Sequence, residues 1–167
     1  GESKQQIAET LAYAQQLGFA TEDIGGAAES AFGVASVTGK DVNEVLRAQS
    51  QLIKSGVVDN YGEAADFFVV AYQNGLDVGD DLLDSTVEYA TTLKSLGFTG
   101  SQALAALNSG LETGIDNTDR IVDLFREFNI RASNVDETAA QEAFAKLNLA
   151  DEADMFRQGE LSCPDRA

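Results

Sequence analysis

A single proline, Pro164, stands in a chain of 167 residues. Proline lacks a backbone donor and clashes with the carbonyl four residues back, so it is the strongest interruption of a helix. Everything before Pro164 is free of that break, and the apolar residues recur there at intervals of three and four, not two. Ile7, Leu11, Ala14 and Leu17 form one stripe; Val42, Val45, Leu46, Leu52 and Ile53 another; Ala64, Phe67, Phe68 and Ala71 a third. Further stripes run through Leu83, Val87, Ala90 and Leu93, then Leu104, Leu107 and Leu111, then Ile121, Leu124, Phe125 and Phe128, and finally Ala140, Phe144 and Leu147. Such intervals put apolar side chains on one face of an α-helix, so each segment has a single stripe to bury. The fold class these patterns predict is all-α.

Local chemistry sets the boundaries. A short polar side chain before a helix accepts from the free amides of the first turn, and an acid or amide three residues on reaches back. Asp41 with Glu44, Asn60 with Glu63, Asp77 with Asp80, Thr99 with Gln102 and Asn134 with Glu137 fit that pattern. Gly18, Gly56, Gly75, Gly97 and Gly114 fall just past periodic segments, where a left-handed residue closes a helix. The expected helices are 2–17, 22–37, 42–55, 61–74, 78–96, 101–113, 118–129 and 135–147, with a short ninth over 151–158. Gly25, Gly26 and Gly33 weaken the second of these by about 1 kcal/mol each relative to alanine, or else permit close helix contact. Short connections predict a compact bundle of eight to nine short helices, successive ones packing as antiparallel or sharply angled neighbours.

A faint repeat runs through the chain. Leu17-Gly18-Phe19 returns as Leu96-Gly97-Phe98, and Thr38-Gly39-Lys40-Asp41 returns as Thr113-Gly114-Ile115-Asp116. The nearly equal separation of the two echoes points to two related helical subunits within a domain over 1–160, divided as 1–57 and 58–160. Residues 161–167 read as a polar tail. The first residue is Gly1 and not Met, so the expectation is a piece of a longer polypeptide.

Hydrophobic residues make up 44% of the chain and charged residues 23%, enough apolar surface for a core. The 28 acidic and 11 basic side chains leave a formal charge of −17. That field repels phosphate backbones and anionic headgroups, which argues against nucleic acid or membrane as a partner and leaves cationic proteins open. No stretch approaches the ~20 apolar residues of a membrane-spanning helix. Cys163 is the only cysteine, so no disulfide can form within the chain, and its neighbours give no reason for reactivity.

Little catalytic chemistry is available. Histidine is absent, which removes Ser-His-Asp and Cys-His arrangements and most zinc sites. The glycines lack the setting of a phosphate loop or dinucleotide fold. Asp80, Asp84 and Glu88 share a helical face at four-residue spacing, but without interleaved bases they read as a solvated acidic ridge and not as an acid–base pair. Asp77, Gly79, Asp81 and Glu88 sample positions of a calcium loop whose required turn glycine is replaced by Leu82. Phe67, Phe68, Tyr72, Phe125, Phe128 and Phe144 fall on inward stripes and read as core. No catalytic, cofactor-binding or metal-binding residue is expected, and a carboxylate-based hydrolase is the least favoured reading.

One ordered series of segments carries a family resemblance. It runs from Tyr61-Gly62-Glu63-Ala64-Ala65-Asp66 through Gln73-Asn74-Gly75-Leu76-Asp77 and Asp81-Leu82-Leu83-Asp84 to Glu88-Tyr89. It continues with Leu96-Gly97-Phe98, Ala103-Leu104-Ala105-Ala106-Leu107, Gly110, Gly114, Asn117-Thr118-Asp119, Asp123 and Arg126-Glu127-Phe128-Asn129-Ile130-Arg131. Phe144-Ala145-Lys146-Leu147-Asn148-Leu149 closes it, with Asn148 where a glycine is usual. The series resembles the conserved helical region of phage tail tape-measure proteins, over about residues 40–160. No single motif is diagnostic; the order is.

The resemblance implies a structural segment of a long protein of the virion tail, present in the host cytoplasm during assembly. Such a protein sets tail length and supports polymerisation of the tube. The implied partners are tube, tip and tail assembly chaperone proteins, with self-association as a further expectation. Stripes joined by short turns fold back on themselves, so this block is not the extended ruler itself. The alternative reading is a free-standing acidic helical adaptor or regulator.

Overall fold

Seven α-helices follow one another in a computed structural model that describes residues 3–77, 79–115, 117–133 and 138. They are α1 (Lys4–Gln16), α2 (Ile24–Thr38), α3 (Val42–Ser55), α4 (Tyr61–Gln73), α5 (Leu82–Ser95), α6 (Gly100–Glu112) and α7 (Thr118–Ser133). No strand occurs among the described residues. The count is seven against eight to nine expected; the segments 135–147 and 151–158, the cap pair Asn134/Glu137, and the tail with Cys163 lie outside the described residues. The chain divides into two compact units, Gly1–Val122 and Asp123–Ala167.

Most helix starts are the expected caps. Asp41 accepts from the amides of Asn43 at 2.8 Å and Glu44 at 3.2 Å. Asn60 accepts from Glu63 N at 3.0 Å, while the Glu63 carboxylate takes the Asp59 amide at 3.0 Å. Gln102 accepts from the Thr99 amide at 3.1 Å. Helix α5 is the correction. Asp77 does cap the chain, but its carboxylate accepts from Leu82 N at 3.0 Å, five residues on, and Asp80 has a left-handed φ of 59°. The helix therefore begins at Leu82, not at 78.

The stops behave alike at both copies of the Leu-Gly-Phe echo. Gly18 has φ +85° and Gly97 φ +79°, and the next amide bonds back five residues, Phe19 to Ala14 O at 3.3 Å and Phe98 to Leu93 O at 3.1 Å. That is a Schellman end, in which left-handed geometry at glycine satisfies two otherwise free carbonyls. The stops at Gly56, Gly75 and Gly114 show the same bonding.

Within the first unit, α3 is the central element. Val42, Val45, Leu46, Ala48, Gln49, Ser50 and Leu52 are all buried on it. It packs against α2, α4 and α5, while α2 also packs on α4 and α4 on α6. The most extensive contacts join alternate helices, α3 with α5 and α2 with α4, instead of sequence neighbours throughout. Close approach is part of the reason. A Cβ on Gly26 of α2 would lie 2.5 Å from the Tyr61 hydroxyl of α4, so glycine there makes room for the Tyr61 ring. Ala64, Phe67, Phe68 and Ala71 fill the interior from α4, and the rings of Phe67 and Phe68 meet edge to face at 5.4 Å. Ile7, read as inward-facing, is 40% exposed; Ala14 and Thr10 are the buried positions of α1.

A polar chain crosses this core. Gln49 of α3, fully buried, donates to Ser30 Oγ of α2 at 3.1 Å, and Ser30 donates to the Tyr61 carbonyl of α4 at 3.0 Å. Buried polar groups held in this way fix the register of the helices they join, because any slip leaves them unpaired. In the second unit, α7 exposes Leu124 and Ile130.

Candidate interaction surface

The acidic residues around the start of α5 do not form a single helical ridge. Asp80 precedes the helix, and basic residues from elsewhere in the chain meet the carboxylates. Lys40, in the connection between α2 and α3, pairs with Asp77 at 2.7 Å and also with Asp80. Its ammonium lies 5.6 Å from the centre of the Tyr72 ring on α4. Arg47 of α3 reaches Asp84 at 3.1 Å. The expectation that these acids lack interleaved bases is corrected. The bases lie about forty residues away in sequence, where no local spacing rule detects them.

The two pairs differ in environment. The Lys40 and Asp77 side chains are 17% and 12% exposed, whereas those of Arg47 and Asp84 are 47% and 86% exposed. Burial works against the Lys40 charge, but hydrogen bonds to Asp77 and Asp80 outweigh it and hold the ammonium above the ordinary lysine range. Burial also pushes the Tyr72 phenol up to about 12, helped by the Asp77 charge. Lys40 thus clamps the α2–α3 connection to the α4–α5 connection.

Beside the clamp, both carboxylate oxygens of Asp81 are buried, and no hydrogen bond of good geometry reaches them, although the Asp81 and Thr118 amides lie close enough to lend weak support. Burial first, then the Asp119 and Asp77 charges, push its carboxyl above the ordinary carboxylate range; backbone amides offset this only in part. Ser85 donates to Asp119, and Thr118 donates to the Leu76 carbonyl at 3.1 Å. The calcium-loop positions Asp77 and Asp81 are therefore engaged in helix capping and burial. Among the described residues no group of three acids or cysteines is arranged to hold a metal ion.

Elsewhere lies a groove of about 560 Å³ bounded by the α3–α4 connection, α4, the end of α5 and the start of α6. Val57, Phe67, Val70 and Leu104 supply apolar lining, and Asp59, Glu63 and Asp66 supply carboxylates. Lys94 closes one end, donating to the Gly56 carbonyl at 2.7 Å. The approach of α6 depends on Gly100, whose amide bonds Val57 O at 2.9 Å and whose missing side chain leaves room for Val58. Sequence patterning places Phe67 in the core but gives no sign of the groove, which arises only when α4 and α6 meet. Among the described residues no helix is long and apolar enough to cross a membrane.

Comparison with known proteins places these features in context. A family model described as phage-related minor tail protein matches residues 1–161. A probable tape measure protein of Streptomyces phage phiC31 is 36% identical over 87 residues, covering 52% of this chain and 12% of that protein. No solved structure matches.

Proposed function

Because the chain belongs to the phage-related minor tail protein family, we propose that it is a structural segment of a tape-measure protein, acting in tail assembly and tail-length determination. The observation that carries this reading is the family match over nearly the whole chain, joined by the similarity to a protein named as a tape measure. The match covers only 12% of that relative, so the segment is read as one part of a much longer protein.

The physical reading agrees. Helices that fold back into a compact unit suit a docking element attached to a ruler better than the ruler itself, since a ruler needs length at about 1.5 Å per helical residue. The segment works through protein contacts and not catalysis: no histidine is present, and the carboxylates around α5 are engaged in ion pairs, caps and burial. Its partners are other tail proteins, tube, tip or assembly chaperone, met in the host cytoplasm during assembly and in the virion tail afterwards. A charge of −17 favours cationic surfaces on those partners.

An in-frame deletion of residues 3–122 from the phage gene, with particles counted and measured by electron microscopy, tests the reading. The expected result is a loss of assembled tails while tube protein is still made. Wild-type numbers of tails with wild-type length would overturn it.

A further inference from the structure

Along α4 and the residues before it, Asp59, Glu63, Asp66 and Val70 follow at intervals of four, three and four, which is one face of a helix. Asp59, Glu63 and Asp66 are exposed, and Val70 is 39% exposed, unusual for a valine in a helix whose other face is fully buried. All four line the groove, whose apolar lining includes Phe67 and Leu104. Lys94, its one cation among the described residues, is committed to the Gly56 carbonyl at the end of α3. The Glu63 carboxylate accepts from the Asp59 amide at the start of its own helix, and no ion pair among the described residues engages Asp59 or Asp66.

An apolar floor beneath an acidic rim is complementary to a helix with an apolar stripe flanked by lysines or arginines. Resting on the tail-protein reading above, we infer that this groove is the docking site for a cationic amphipathic helix of another tail protein. Charge argues against the other occupants. A second copy would bring a further −17, and residues 134–167 of this chain carry eight acidic against three basic side chains. Val70 and Leu104 receive the apolar stripe of the incoming helix, and the carboxylates select its basic flank and set its direction.

The test uses the whole chain and a fluorescent amphipathic peptide of about 16 residues, leucines at intervals of three and four flanked by lysines, which spans ~24 Å as a helix. A twin with glutamates for lysines serves as the charge control, and anisotropy is read at two salt concentrations. The lysine peptide is expected to bind and the glutamate twin not. Asp59→Lys with Asp66→Lys should weaken binding about tenfold, as two rim attractions become repulsions. Val70→Ser should weaken it as well, while Glu9→Lys with Glu22→Lys, the same charge change at exposed positions that do not line the groove, should leave it within about twofold. Equal weakening by that control pair, or no binding of the lysine peptide, overturns the groove inference. If the peptide fails while the chain still crosslinks to other tail proteins in assembling particles, the groove falls and the tail reading stands. Absence of both removes the two together.

Discussion

Replacing Gly26 with alanine adds one methyl group where α2 crosses α4, and its effect can be worked out against a second glycine of the same helix. A Cβ on Gly26 would lie 2.5 Å from the Tyr61 hydroxyl oxygen and 2.6 Å from the ring carbon that bears it. Carbon contacts are optimal near 3.5–4.0 Å, so the ring must retreat by about 1 Å or the helices must part. Overpacking of this kind costs about 1–3 kcal/mol, set against a gain of about 1 kcal/mol in helix propensity. Gly33 has open space at the corresponding point, so Gly33→Ala keeps the gain and none of the cost. Thermal unfolding followed by circular dichroism should show Gly33→Ala melting about 2–4 °C above wild type and Gly26→Ala at or below it, using ~2–4 °C per kcal/mol for a chain of this size. In a Tyr61→Ala background the Gly26→Ala penalty should vanish, since the obstructing ring is gone. Equal upward shifts for both single substitutions would refute the crossing of α2 and α4 at Gly26.

Three further outcomes follow from burial and charge. Phe68 is fully buried, so Phe68→Ala should cost about 3–5 kcal/mol in urea unfolding. A double-mutant cycle on Lys40→Met and Asp77→Asn should give a coupling of about 1–3 kcal/mol, because both side chains are largely covered, whereas the exposed Arg47–Asp84 pair should give below about 0.5 kcal/mol. The Asp81 carboxyl titrates above the ordinary carboxylate range in the folded chain, so its ionisation destabilises the fold as pH rises from that range through the raised value. Asp81→Asn should therefore raise the melting midpoint at pH 7 and change it little near pH 4, and a variant that lowers the midpoint at pH 7 would contradict the assignment.

What the sequence discloses here is the chemistry that acts over a single turn. The glycine stops were legible at all five positions because a Schellman end depends on one residue's φ and on amides within five residues. The caps at Asp41, Asn60 and Thr99 were legible for the same reason. The start of α5 was not, because Asp77 bonds an amide two residues beyond the usual box and Asp80, paired with Lys40, takes the chain off the helical path. Gln49 shows the other limit. A glutamine reads as solvent-facing, yet it lies fully buried, with Ser30 on another helix pairing its amide nitrogen and its amide oxygen left unpaired. The groove was illegible in turn, since Val70 and Leu104 belong to separate stripes and become neighbours only through the packing of α4 on α6. The family likeness needed no tertiary knowledge, because it resides in the order of short segments along the chain.

Carbodiimide crosslinking of assembling tails that contain the full-length protein, read by mass spectrometry, probes whether the segment acts by touching other proteins. The reagent joins carboxylates to amines at zero length, which suits a chain with 28 acidic residues. Crosslinks from acids within 41–131 to lysines of other tail proteins are expected, with Asp59, Glu63 and Asp66 prominent. Crosslinks confined to the chain itself, in particles otherwise complete, would contradict the account.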